Sequence, residues 1–397
     1  MVLKAFKLRL YPNKTQRNQI HVNFGCARFV WNQMLNMHIE RYKNNRKAKF
    51  QGRYSMDVML KALKIEYPWL KQAESTSLQR VNRDLDDAFQ RFFNPDLQNG
   101  FPRFKSKKNT NQSYTSKFVN NNIRIVDEHH IKLPKLGLVY FKAGRILNGK
   151  IRAVTIRVNS RKQYQASILV ESENQTFKKT KKSVGIDSGL KSLTITSDGQ
   201  KEDILKVDDR LNKQLRIWER KKSRRYENAK KAMAFDEHDK VLFPRTDLKQ
   251  FPRYQQAVRT VAKLKKHIAE RRRDNLHKLT TRLVKDYDTI VVENLSVKNM
   301  MKNHHLSASI ANASWGTLIS QLKYKCAWYG KKLIIIDPKN TSRICHECKQ
   351  KNHEFDSLSQ SEWLAAREWD CPNCHAHLDR DVNAAKNILA KGLETLS

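Results

Sequence analysis

No stretch of this 397-residue chain is apolar for long enough to cross a bilayer, and no signal peptide is apparent, so the sequence predicts a protein off the membrane. Acidic residues are scarce: 39 Asp and Glu stand against 78 Lys and Arg, a formal charge of +39. That surplus excludes an acidic or neutral surface and marks a partner that is a polyanion. Cysteine is scarce too, with six in all, so a disulfide framework and an oxidising compartment are not expected. No P-loop, Gly-rich dinucleotide turn or Ser-His-Asp set is present. Hydrophobic residues make up a low 39%, yet aromatics at 9% are ordinary, which argues for two or three folded domains with basic faces rather than disorder.

Four of the six cysteines fall in two Cys-x-x-Cys pairs, Cys345/Cys348 and Cys371/Cys374, separated by a hairpin-sized spacer. Two knuckles of this kind offer four thiolates to one tetrahedral zinc, a structural ribbon. Lys349 and His375 follow the second cysteine of each pair, where a left-handed backbone is expected at some cost in a residue other than glycine. His346, His375 and His377 stand near enough to be substitute ligands. Cys26 and Cys326 sit in apolar helical contexts and read as small core residues. Behind the ribbon, Asp381 precedes Asn383 and Asn387 on an Ala-rich helical run; it reads either as a helix N-cap or as a metal-binding carboxylate at a helix start.

Taken in order, residues 2–11 alternate apolar and basic as a half-buried strand ended by Pro12-Asn13. A helical region follows to about residue 93, its clearest helix starting at Ser75 with Leu78, Val81, Leu85, Phe89 and Phe92 on one face. Residues 94–113 form a linker in which Arg103, Phe104, Lys105, Lys107 and Lys108 interleave aromatic and basic groups, a pattern suited to phosphate neutralisation and base stacking. Short strands at 123–126, 137–142, 154–158 and 164–171 predict a small barrel or sandwich that strand 2–11 joins, with the helical region inserted into it. From residue 183, strands alternate with helices at about 204–232, 254–286 and 315–329, which predicts a mixed α/β sheet. The first of those helices carries a basic run that includes Arg224 and Arg225, and Phe-Pro occurs at 243–244 and 251–252 between the first two.

Asp187 and Glu293 each close an apolar strand, and Asp381 opens a helix. A carboxylate at the end of an all-apolar strand is costly unless paired or metal-bound. Three such acids gathered at one sheet edge suit two divalent ions, with Mg²⁺ the natural choice, for phosphodiester hydrolysis.

The chain resembles the TnpB (OrfB) family of transposon-encoded, RNA-guided DNA endonucleases, which are related to type V CRISPR effectors. The resemblance runs along nearly the whole chain: Lys4 to Asn13, Gly25 to Asn32, Gly100-Phe-Pro-Arg-Phe104, Gly185-Ile-Asp-Ser-Gly189, Val292-Glu-Asn-Leu295 and, most specifically, Asp379-Arg-Asp-Val-Asn-Ala-Ala-Lys-Asn-Ile388. It implies α/β plus a β-barrel with a helical insert: a wedge (OB-like) β-barrel domain over 1–12 and 105–182, a helical recognition domain over 13–104, a RuvC-type (ribonuclease H-like) nuclease domain over 183–340 and 376–397, and a zinc ribbon over 341–375. It implies Asp187, Glu293 and Asp381 as catalytic acids binding two Mg²⁺, with Asp379 only a neighbour, and one structural Zn²⁺. Implied partners are a guide RNA from the transposon end and double-stranded target DNA, one protein per RNA, in a prokaryotic, nucleoid-associated cytoplasm. Tyr54 and Gln79 are placed in the recognition region to face DNA. The surplus of +39 matches the roughly 40 phosphates of a ~20 base-pair guide–target duplex. A guided regulator that does not cleave and a protein-only transposase or resolvase are the alternatives.

Overall fold

The computed structural model describes the chain except for residues 98, 110, 143, 145–148, 160–161, 190–191, 204–208, 233–244, 297–299, 301–312, 340, 357–361, 363–365 and 396–397. The expected start of a helix at 204 and the Phe243-Pro244 pair lie outside the described residues. Two compact units divide it, Met1–Glu173 and Asn174–Ser397.

The first unit is a seven-stranded sheet with a helical bundle against its own core. Its strands are β1 (Val2–Tyr11), β2 (Gln112–Lys117), β3 (Arg124–Ile125), β4 (His130–Leu133), β5 (Gly137–Lys142), β6 (Lys150–Val158) and β7 (Tyr164–Ser172), in the order β2-β6-β7-β1-β5-β4-β3. The alternation of apolar and basic residues in β1 lets Leu8 and Leu10 enter the core. β1 pairs antiparallel with β7 from Val2 to Leu10 and passes to β5 at Arg9 to Tyr11. The N-terminal strand thus sits mid-sheet, while β2 and β3 are the two edges.

Between β1 and β2 lie α1 (Lys14–Asn44), α2 (Arg53–Glu66) and α3 (Ser75–Phe93). Asn13 and Gln16 close a reciprocal capping box on α1, and the Glu74 carboxylate caps α3 by accepting from the Thr76 and Ser77 amides. Leu78, Val81, Leu85 and Phe89 bury the predicted face of α3. Phe92, expected on that face, instead stays 38% exposed, edge-on to Phe101 at 5.3 Å between ring centroids. It lies in the last turn, where no element covers the stripe.

The second unit is built on a five-stranded sheet, β8 (Ser183–Asp187), β9 (Ser192–Thr196), β10 (Lys201–Asp203), β11 (Thr289–Glu293) and β12 (Lys332–Ile336), ordered β10-β9-β8-β11-β12. β11 lies parallel to both β8 and β12, whereas β9 and β10 are antiparallel additions, so the sheet is mixed as expected. Helices α4 (Asp209–Lys231), α5 (Pro252–Asp286), α6 (Trp315–Tyr329) and α7 (Arg380–Glu394) accompany it. Val261, Ile268, Leu276, Leu279 and Leu283 of the α5 stripe are buried, and the last three join α6 residues Leu318 and Leu322 over Val184 and Ile186.

α7 packs directly on β8 and β11, and two glycines make this possible. A Cβ on Gly185 would come within 2.1 Å of the Ala385 carbonyl, and one on Gly392 within 2.3 Å of the Val291 side chain. With no Cβ at either place the helix backbone lies on the strands, which brings its N-terminus over the ends of β8 and β11. Gly185→Ala is therefore expected to destabilise the second unit by about 1–3 kcal/mol, as overpacking does. A thermal melt unchanged from the parent protein would contradict this.

Candidate metal centres

The four predicted cysteines come together. Cys345, Cys348, Cys371 and Cys374 place all four sulfurs within 4.8 Å of one another, a gathering of metal-ligand side chains not repeated elsewhere among the described residues. The Sγ atoms of Cys345 and Cys374 are 3.7 Å apart, and those of Cys348 and Cys371 3.6 Å. A tetrahedron with ~2.3 Å zinc–sulfur bonds has an edge of about 3.8 Å, so these distances fit one zinc ion and are far too long for disulfides. Burial pushes the Cys345 thiol up, while hydrogen bonds led by Asn373 hold Cys348 down to about 6, already toward the thiolate that a metal binds. Each knuckle turns through the backbone foreseen for it: Lys349 has φ 62° and His375 φ 58°.

The nearby histidines are engaged otherwise. The His346 ring meets Asn383 Oδ1 at 3.0 Å and Glu347 at 2.7 Å, and His377 pairs with Asp370 at 2.8 Å. His375 is exposed at the turn itself. A hairpin of β13 (Glu368–Asp370) and β14 (His377–Asp379) carries the second knuckle straight into α7.

The three predicted acids are electrical neighbours at the strand ends. Asp187 ends β8, Glu293 ends β11, and Asp381 lies in the first turn of α7. Burial, then Glu293, then Asp381 raise the Asp187 carboxyl to about 7. Glu293 is only 9% exposed and is also raised by burial, against a 2.6 Å hydrogen bond donated by the Thr341 hydroxyl. Asp381 is not the N-cap of its helix. That role falls to Asp379, whose carboxylate accepts from the Asp381 and Val382 amides at 3.0 Å each and pairs with Lys201 at 2.6 Å. Asp381 is thereby left to face two arginines, Arg380 at 3.1 Å and Arg367 at 3.4 Å.

Among the described residues the three carboxylates are not gathered as tightly as the four sulfurs. Hard oxygen donors of this kind fit a divalent cation such as Mg²⁺.

The residues named for nucleic-acid contact fall in both units. Tyr54 is 74% exposed at the start of α2, with the Arg53 guanidinium 4.6 Å over its ring. Gln79 is exposed on α3. Arg103, Phe104, Lys105, Lys107 and Lys108 form an exposed segment tied to α1: the Trp31 indole donates to the Arg103 carbonyl at 3.0 Å, and Asn32 exchanges hydrogen bonds with the Lys105 backbone. The Lys105 ammonium sits 3.6 Å from the Trp31 ring centroid, where desolvation lowers it to about 8. Arg224 is exposed on α4, whereas Arg225 is half-buried and donates to the Arg253 carbonyl at 2.6 Å.

Along its whole length the chain matches curated relatives. A protein of Streptomyces pristinaespiralis entitled "Putative RNA-guided DNA endonuclease" is 33% identical over 99% of this chain and 90% of its own length. InsQ of Escherichia coli K12, which bears the same title, is 30% identical over 100% of this chain and 94% of its own. The chain belongs to the TnpB (OrfB) family. Three family models match it in parts: a helix-turn-helix domain of the OrfB proteins over residues 1–47, a probable transposase over 167–304, and a Cas12f1-like TNB domain over 315–388. Residues 1–47 of this family member hold one strand and one 31-residue helix, not two helices joined by a turn. Among solved structures, a Cas12f1–sgRNA–target DNA complex aligns over 98% of this chain and 99% of its own at 13% identity and a TM-score of 0.35, and the mini-RNA-guided endonuclease Cas-phi3 over 98% and 92% at 10% and 0.39. At these scores the likeness carries no argument. Among the described residues no helix is long and apolar enough to cross a membrane.

The sequence did not point to Thr341 or Arg367, which meet Glu293 and Asp381 only through tertiary contact, nor to Arg380, which reaches its own neighbour Asp381. One zinc per chain is expected by elemental analysis of the purified protein. Cys371→Ser should lose it while leaving the unit Met1–Glu173 folded. Protein free of zinc would contradict the assignment.

Proposed function

We propose that this chain is an RNA-guided DNA endonuclease encoded by a transposon. In this reading it cleaves double-stranded target DNA beside a short motif, one protein per RNA, with a guide transcribed from the transposon end. The observation that carries the reading is the meeting of Asp187, Glu293 and Asp381 at one sheet edge of a TnpB family member. Within it, residues 183–340 and 376–397 act as a RuvC-type nuclease, 341–375 as its zinc ribbon, 1–12 and 105–182 as an OB-like wedge and 13–104 as the recognition domain.

Asp187, Glu293 and Asp381 would hold the divalent ions. Bound Mg²⁺ supplies an activated water and charge neutralisation at the phosphate. The chain's own part is placement. β8 and β11 fix two carboxylates at adjacent parallel strand ends, and Asp379 frees Asp381 by taking over the cap. All three acids are in place, which favours cleavage over a guided regulator. A protein-only transposase would need a module that reads sequence, and residues 1–47, matched by a helix-turn-helix model, hold the single helix α1.

Asp187→Ala, Glu293→Ala and Asp381→Ala are each expected to lower target cleavage by the guide-loaded protein at least ~100-fold with binding retained, and the losses should not add. Full cleavage by Asp381→Ala would refute the assignment. Asp379→Ala should lose less activity, and about 0.5–2 kcal/mol of stability as its cap is lost.

The pH dependence has a defined sign. A carboxyl raised in the fold is stabilising while protonated, so metal-free protein should lose stability as pH rises from the ordinary carboxyl range toward 7. The cation must displace that proton, so the Mg²⁺ needed for half-maximal cleavage should increase up to ~10-fold per pH unit below 7. Magnesium titrations of cleavage at pH 6 and pH 8 with equal half-saturation would contradict this.

A further inference from the structure

The loop that leads into the first zinc knuckle is bonded to the acidic site at both of its ends. At residue 341, the buried Thr341 hydroxyl donates to Glu293 Oε1 at 2.6 Å. The carbonyl of the same residue accepts from Asn387 Nδ2 at 2.9 Å. At the knuckle itself, the Ile344 carbonyl accepts from Asn387 Nδ2 at 2.6 Å and from Asn383 Nδ2 at 2.8 Å. The His346 amide then donates to Asn383 Oδ1 at 2.8 Å. Both neighbours of Cys345 are therefore pinned to α7, the helix whose first turn holds Asp381. From the other arm of the ribbon, the Arg367 carbonyl accepts from the Arg380 amide at 2.8 Å, and its guanidinium reaches Asp381 at 3.4 Å.

We propose that the zinc ribbon sets the geometry of the acidic site through Thr341, Asn383 and Asn387, which are positioning residues for Glu293 and Asp381. This inference rests on the endonuclease reading above. A glutamate side chain has three torsions to fix, and a hydroxyl bond to one carboxylate oxygen inside a buried site removes most of that freedom before any cation arrives. Asn383 and Asn387 stand one helical turn apart on the same face of α7, so they clamp the knuckle to the helix at two points and fix where its first turn lies. Both asparagines are buried; the Asn387 amide donates to the Thr341 and Ile344 carbonyls, and Asn383 donates to the Ile344 carbonyl and accepts from the His346 amide. The ribbon then acts at a distance from the cations: loss of zinc releases residues 341–346, and with them the hold on Glu293 and on the start of α7.

The decisive variant is Thr341→Val, which keeps the shape of the side chain and removes only the hydroxyl; Thr341→Ser restores the donor. In the guide-loaded protein, Thr341→Val should raise the Mg²⁺ needed for half-maximal cleavage by ~10–100-fold, the range seen when a partner behind a metal ligand is lost. Thr341→Ser should return it to the parent value, and zinc content should stay at one per chain throughout. A readout independent of turnover is Fe²⁺ in place of Mg²⁺ with ascorbate and peroxide, which cuts the polypeptide beside an occupied metal site. Fragments ending near residues 187, 293 and 381 should be strong in the parent, weak in Thr341→Val and restored in Thr341→Ser. Asn387→Ser provides a second route, with the same weakening expected while zinc is retained. Parent-like Mg²⁺ dependence and fragment intensity in Thr341→Val and Asn387→Ser would overturn the positioning role and leave the acid assignment standing. Absence of both Mg²⁺-dependent cleavage and iron-dependent fragments in the parent protein would instead remove the acid assignment, and this inference with it.

Discussion

The second unit depends on how closely one helix can lie on a sheet. α7 carries an acid to the ends of β8 and β11 only because Gly185 and Gly392 present no Cβ to it, and at Gly185 the added atom would stand within 2.1 Å of a helix carbonyl. Contact at that separation cannot be absorbed by rotating a side chain, since backbone meets backbone. The two glycines thus do more than pack well: they decide whether Asp381 falls within electrical reach of Asp187. Parallel pairing does the rest. β8 and β11 run side by side from Ser183/Thr289 to Ile186/Val292, so their terminal acids emerge at the same edge.

Two aspartates of this unit show how such a placement differs from an ordinary structural acid. Asp288, just before β11, accepts from the Thr180 and Lys181 amides and pairs with Lys331, and these partners hold its carboxyl down to about 2. Asp187 has the reverse environment: burial and two acidic neighbours raise it to about 7, with only the Ser188 amide and Arg380 opposing. A fold gains stability from the first arrangement and loses it from the second. In the proposed endonuclease a bound cation would relieve this repulsion. The arginines at Asp381 moderate the repulsion without ending it, because Asp187 remains raised in their presence.

Much of this was legible in the chain, for identifiable reasons. The cysteine spacing prescribes the ribbon because a knuckle is local: ligands three residues apart need no tertiary information. The apolar runs ending in Asp187 and Glu293 mark buried strands with costly ends, and the alternation of residues 2–11 marks a strand that finds partners in β7 and β5. What escaped the sequence was set by contact between distant segments. The sequence offered Asp381 as a possible cap, but the helix starts one residue earlier and Asp379 caps it, accepting from the Asp381 and Val382 amides. Phe92 matches the helical period of α3 and yet stays exposed, because periodicity says which face a residue shares and not where the covering elements stop. Thr341 lies in no motif at all, and its bond to Glu293 spans 48 residues of sequence.

The ribbon adds a last constraint. Lys349 and His375 turn through left-handed backbone where a glycine would do so at no steric cost, and each such turn costs a non-glycine residue roughly 1–2 kcal/mol. Among the described residues, the core around the cysteines holds Phe355, Trp369 and Leu378. The sulfurs, meanwhile, stand at the spacing of one tetrahedral ion, and structural zinc contributes on the order of 10 kcal/mol to the fold that binds it. That magnitude exceeds the strain several-fold. Zinc bound by the four cysteines would therefore outweigh the strain of the knuckles, and whatever residues 341–346 hold in place would inherit that dependence.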